Sequence, residues 1–115
     1  MNIHRHIRLL AYFLVSLALS ACSKPGEKFI GSWSNEWMGG KLMLNISRDG
    51  DNFIVKEILP ESGAAFAVNS ARYESGYLIV NDNRALGKIS YIASDDSIQP
   101  LDTVIPRPAY RRITK

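Results

Sequence analysis

The stretch KLMLNISRDGDNFIVKEIL, Lys41 to Leu59, holds the pattern on which the fold turns. In KLMLNIS (Lys41–Ser47), Leu42, Leu44 and Ile46 fall on one face and alternate with more polar neighbours. That period of two belongs to a half-buried strand, because successive side chains of a strand point to opposite faces. RDGDN (Arg48–Asn52) follows, and Asp-Gly tolerates the positive φ of a tight hairpin. FIVKEIL (Phe53–Leu59), rich in β-branched and aromatic residues, is the return strand.

The same texture extends in both directions. FIGSWSNEW (Phe29–Trp37) holds aromatic and aliphatic residues at odd spacing, and Gly39-Gly40 then breaks the run. After PESG (Pro60–Gly63), AAFAVNSARYE (Ala64–Glu74) and GYLIVND (Gly76–Asp82) form a second hairpin around Glu74-Ser75-Gly76. KISYIAS (Lys88–Ser94) and AYRRIT (Ala109–Thr114) read as further strands, separated by the turn DDS (Asp95–Ser97). IQPLDTVIPRP (98–108) contains three prolines and is expected to be mostly irregular. Beyond the N-terminus no stretch sustains an i, i+3, i+4 pattern, so the fold class is all-β. About seven short strands with short turns predict an antiparallel meander, closed as a small barrel or left as a curled sheet. Closure would protect its edges, and AYRRIT is the segment able to pair back onto FIGSWS.

The N-terminus is different. MNIHRHIR carries Arg5 and Arg8, and no acid precedes Glu27. LLAYFLVSLAL (Leu9–Leu19) is a short apolar run, well under the roughly 20 residues of a spanning helix. Small Ser20 and Ala21 follow, then Cys22, the single cysteine of the chain. A basic start, a short apolar run and small residues make a secretory signal helix. This divides the chain into a signal segment 1–21, an anchored Cys22 with a polar tether to residue 28, and one domain over 29–115. LSAC (Leu19–Cys22) resembles the lipobox of bacterial lipoproteins. That resemblance implies cleavage between Ala21 and Cys22, a diacylglycerol on the Cys22 thiol and acylation of the new amino group. Each buried methylene adds about 0.8 kcal/mol and one chain alone holds marginally, so several chains on one residue make a lasting membrane anchor. Ser23, in place of Asp, implies by the same resemblance the periplasmic face of the outer membrane in a Gram-negative envelope, or the outer face of the single membrane in a Gram-positive one.

Removing 21 of the 115 residues leaves 94, enough for one small domain. Arg5 and Arg8 leave with the signal, so the net charge of +3 falls to 12 Lys and Arg against 11 acids. That near-neutral balance argues against nucleic acid as a partner. His4 and His6 leave as well. Without histidine or a free thiol the mature chain cannot build Ser-His-Asp or Cys-His catalysis, or the usual zinc site. Asp49, Asp51, Asp82, Asp95 and Asp96 fall in expected turns, not across a cleft as a glycosidase pair would. No enzyme activity, metal or cofactor is expected.

Three places remain as candidate contacts. Trp37 beside Gly39 and Gly40 is a rim that could face a ligand or partner, or simply a hairpin turn. Arg107, Tyr110, Arg111 and Arg112 form the one charge cluster of the mature chain, able to meet an anionic partner or to shield an exposed strand. GSW (Gly31–Trp33) resembles the Gly-x-Trp of the first strand in lipocalin-like barrels. The resemblance implies that Trp33 closes the barrel floor beneath a basic residue of the last strand, Arg111 foremost or Arg112, as a cation–π pair. Plain core packing is the alternative for Trp33. It also implies a small apolar ligand in a cavity lined by residues such as Leu44, Val55, Ile79 and Tyr91. SARYESGYLIV (Ser70–Val80) resembles strands of periplasmic lysozyme inhibitors, whose disulfide this chain cannot form.

The expected protein is therefore a lipid-anchored envelope module that binds or supports without catalysis. Its partners would be the membrane through Cys22 and an envelope protein or small apolar ligand.

Overall fold

The computed structural model describes residues 24–37, 39–81 and 86–114. The signal segment, the Leu19–Cys22 motif and Ser23 lie outside the described residues. A 3-10 turn (Glu27–Phe29) precedes eight strands: β1 (Gly31–Trp37), β2 (Gly40–Asp49), β3 (Asn52–Ile58), β4 (Ala65–Glu74), β5 (Tyr77–Val80), β6 (Lys88–Ile92), β7 (Ser97–Leu101) and β8 (Tyr110–Thr114). Each pairs antiparallel with the next and β8 pairs with β1, so the sheet is a closed barrel. The Lys41–Leu59 hairpin forms as its pattern requires, with Asp49 opposite Asn52 and Met43 opposite Ile58. Ser75 and Gly76 both take positive φ, 53° and 90°, the pairing of a two-residue hairpin turn.

Closure comes from Ser34 opposite Arg111, Trp33 opposite Arg112 and Ser32 opposite Thr114, with a register shift between Ser32 and Trp33. The last strand thus has no free edge. The eighth strand is β7, drawn from the proline-bearing segment expected to be irregular. Pro100 is tolerated because the β7–β8 ladder has only two pairs, Ser97–Arg111 and Ile98–Tyr110, and ends before it. A proline lacking its N–H costs little where the neighbouring ladder has stopped.

The up-and-down order creates two different ends. The turns after β2, β4 and β6 share one end, here called the floor, with the N-terminal turn. The turns after β1, β3 and β5 and the longer 102–109 connection share the other, the mouth. Between them, Trp33, Leu44, Phe53, Leu78, Ile89 and Ile98 are fully buried or nearly so. Burying one large apolar side chain contributes roughly 1.5–3 kcal/mol, and an eight-stranded barrel is just wide enough for such side chains to fill. Strand alternation corrects one expected cavity residue. Leu78 and Val80 are buried, whereas Ile79 points the other way, opposite Arg72 and Lys88.

Part of the segment expected to be a tether is folded against the barrel. Phe29 is fully buried, and its ring meets Tyr73 and Tyr91 at 6.4 and 6.2 Å. Arg48 holds the preceding residues down, donating to Pro25 O (3.2 Å) and Glu27 Oε2 (2.8 Å) while its guanidinium lies 4.7 Å from the Phe53 ring. Residues 25–29 therefore belong to the folded unit as a plug in the floor.

Candidate functional site

The floor is closed by one tryptophan and one arginine. Gly31, Trp33 and Asn35 share the inward alternation of β1. Trp33 is fully buried and its indole Nε1 donates to Phe29 O at 3.0 Å, tying the plug to the core. The Arg112 guanidinium carbon sits 4.1 Å from the centre of the Trp33 rings. Its nitrogens donate to Asp96 Oδ2 (2.7 Å), Ile30 O (2.7 Å) and Lys28 O (2.8 Å). A planar fork with several fixed donors suits this task, since it stacks and caps two carbonyls at once. Tyr91 completes the network by donating to Asp96 Oδ1 at 2.8 Å. That bond is the main cause that raises the Tyr91 phenol above its ordinary pKa; burial and the Asp96 charge add to it, and Arg112 opposes it.

Arg111 has another position. Its side chain is 76% exposed and 4.0 Å from Asp95, against 11% exposure for Arg112. The partner of Trp33 is therefore Arg112, one residue beyond the foremost expectation, because strand alternation turns 110 and 112 inward and 111 outward. A shallow cleft of about 420 Å³ lies beside this network, lined by Glu27, Lys28, Ile30, Tyr91, Asp96 and Arg112. Its arginine is already committed to the three bonds above.

The mouth is polar inside. Asn35 on β1 and Glu57 on β3 occupy inward positions and are only 7% and 5% exposed. Arg107 reaches across from the 102–109 connection, and its Nη1 donates to Glu57 Oε1 and to the Tyr110 hydroxyl, each at 3.2 Å. Burial is the main cause that raises the Tyr110 phenol, Glu57 adds to it, and Arg107 and Asn35 pull it down. Asn35 Nδ2 donates to Pro108 O at 3.1 Å, and Gln99 Nε2 donates to Arg107 O at 2.7 Å. Strands β1, β3, β7 and β8 thus pin residues 107 and 108 across the opening as a strap. Its tip projects outward, with Val104 and Ile105 exposed by 78% and 58%. On β4, Ala67 and Asn69 share the parity of buried Ala71 but are only half-buried, whereas the register shift between Glu57 and Ile58 sets Ala65 opposite outward Ile58.

The C-terminal cluster is consequently not one surface. Arg107 and the fully buried Tyr110 belong to the mouth, Arg112 to the floor and Arg111 to solvent. Trp37 ends β1 opposite Gly40, and Gly39 lies in the turn between them, so this rim does sit at the mouth. Asn35 and Glu57 had gone unnoticed in the sequence, although each interrupts an apolar alternation: Gly31-Trp33-Asn35 and Phe53-Val55-Glu57. Among the described residues no three His, Cys, Asp or Glu side chains converge as metal ligands, and no helix is long and apolar enough to cross a membrane. Compared with family models, curated proteins and solved structures, the chain matches none.

Proposed function

We propose that this chain is a lipid-anchored, non-catalytic binding module of the cell envelope that receives its ligand at the barrel mouth. The observation that carries the reading is the inequality of the two ends. The floor is sealed by Phe29, Trp33 and Arg112, while the mouth holds the inward polar groups Asn35 and Glu57 beneath the exposed Val104–Ile105 tip. Its buried carboxylate is matched by a guanidinium, which suits holding a strap in place better than proton transfer. The anchor reading rests on the Leu19–Cys22 motif and its apolar lead. A tether leaving from the floor would turn the mouth away from the membrane. Native mass spectrometry of the protein released from membranes is the test. A small mass that leaves on denaturation supports the reading; a bare monomer from every preparation refutes it.

A second reading draws on the Val104–Ile105 tip. An exposed apolar loop on a rigid barrel is suited to insert into a partner protein, as an inhibitor of a lytic enzyme would. It requires a stoichiometric complex, and failure to slow any lysozyme at micromolar concentration would remove it.

A further inference from the structure

The cleft in the floor stands where the N-terminal segment joins the barrel. Arg48 fixes Pro25 and Glu27, Arg112 fixes the carbonyls of Lys28 and Ile30, and Phe29 is buried between them. Cys22 comes three residues before Pro25, a reach of at most about 11 Å. The headgroup layer of one leaflet is itself about 5–8 Å thick. Lipid on Cys22 therefore holds the floor against that layer, with little slack to lift the cleft clear of it.

The cleft, about 420 Å³, is lined by two acids, Glu27 and Asp96, and two bases, Lys28 and Arg112. Arg112 is spent on Asp96 and the two carbonyls. The Lys28 ammonium lies 5.4 Å from the centre of the Tyr91 ring and, among the described residues, forms no ion pair. The Glu27 and Asp96 side chains stay 63% and 43% exposed. An anionic headgroup would bring its charge to a lining that already holds two carboxylates. A zwitterion brings a phosphate for Lys28 and a cation for the acids. A quaternary ammonium asks for several aromatic faces, and among the described residues Tyr91 is the one ring in the lining. A primary ammonium instead donates hydrogen bonds that carboxylates accept.

We infer that the floor cleft seats the phosphoethanolamine headgroup of a membrane lipid, with its phosphate on the Lys28 ammonium and its ammonium toward Glu27 and Asp96. This deepens the lipid-anchor part of the proposed function and rests on it.

The test is amide NMR of the ¹⁵N-labelled chain extracted from membranes, its acylation first checked by mass, in phosphatidylcholine nanodiscs. Phosphatidylethanolamine at rising mole fraction should shift the Lys28, Tyr91 and Asp96 amides saturably and leave the Ala67 and Ile105 amides in place. Phosphatidylglycerol should shift none of them. Free O-phosphoethanolamine should shift the same three amides with the millimolar Kd expected of so small a ligand. Lys28→Ala keeps the carbonyl that Arg112 holds and should raise that Kd about tenfold, the factor that one lost charge-assisted bond produces. About ten Gly and Ser residues inserted between Ser23 and Lys24 should weaken the lipid response but not the free one, because a longer tether lowers the effective concentration. The Trp33 indole N–H signal should stay in place throughout, reporting an intact floor. Equal shifts with phosphatidylglycerol would refute the zwitterion, and shifts with the free compound alone would refute the membrane source. An acylated chain that shows no shift keeps its anchor and loses this site, whereas a chain without acyl mass removes the anchor and the inference together.

Discussion

Arg112→Ala should be among the most damaging single changes in this protein, and the structure supplies the magnitude. The side chain makes three charge-assisted hydrogen bonds and covers the Trp33 rings at 4.1 Å. Bonds to charged groups contribute about 1.5–3 kcal/mol each when buried, and a partly buried cation–π contact adds about 1 kcal/mol. The sum must be discounted. Asp96 is 43% exposed and Lys28 lies at the surface, so both can be rehydrated once the arginine is gone. Ile30 O and the indole face keep most of their loss. The expected cost is about 2–4 kcal/mol, which for a domain of this size lowers Tm by roughly 10–25 °C. Arg112→Lys keeps a charge but neither the fork nor the stacked plane, and should suffer at least half of that drop. Arg111→Ala, next in sequence but 76% exposed and 4.0 Å from its acid, should stay within about 0.5 kcal/mol of the parent. Thermal melts followed by near-ultraviolet circular dichroism give the comparison. Equal Tm values for the Arg111 and Arg112 variants would refute the floor clamp.

Three further outcomes follow from other parts of the chain. Gly87→Ala places a Cβ 2.5 Å from Leu101 O and 3.1 Å from Asp102 O at a φ of +58°, so it meets backbone that cannot rotate away. It should cost about 2–4 kcal/mol, read as a lower urea midpoint with an unchanged slope. The raised phenols of Tyr91 and Tyr110 bind their protons more tightly in the folded state than in the unfolded one. Their contribution is complete below the ordinary tyrosine pKa of about 10 and is lost as pH rises through the folded values. Stability should therefore fall above roughly pH 10, and Tyr110→Phe and Tyr91→Phe should each flatten the decline; absorbance titration at alkaline pH checks that two phenols ionise late. Cys22→Ser should abolish incorporation of radiolabelled lipid and leave an uncleaved precursor. Lipid uptake by that variant would remove the anchor from the account.

The alternation of Leu42, Leu44 and Ile46, the Asp49-Gly50 turn and the Ser75-Gly76 turn are local signals, each a property of a few neighbouring residues. Period and turn chemistry act over such short ranges, so the all-β class, the hairpins and their order were legible directly. The partner of the last strand was also foreseeable, because AYRRIT was the segment left to protect the first edge. Strand β7 was not, since Pro100 breaks the local signal and only the end of its ladder with β8 makes the proline harmless. The division of Arg107, Tyr110, Arg111 and Arg112 among mouth, solvent and floor was likewise hidden. Neighbours in sequence look like one charge cluster, but alternation and a bridging strap send them to opposite ends of a barrel. The Glu57–Arg107 pair joins residues 50 positions apart. No local pattern encodes such a contact, because it exists only once eight strands have closed and brought the two ends of the chain around one lumen.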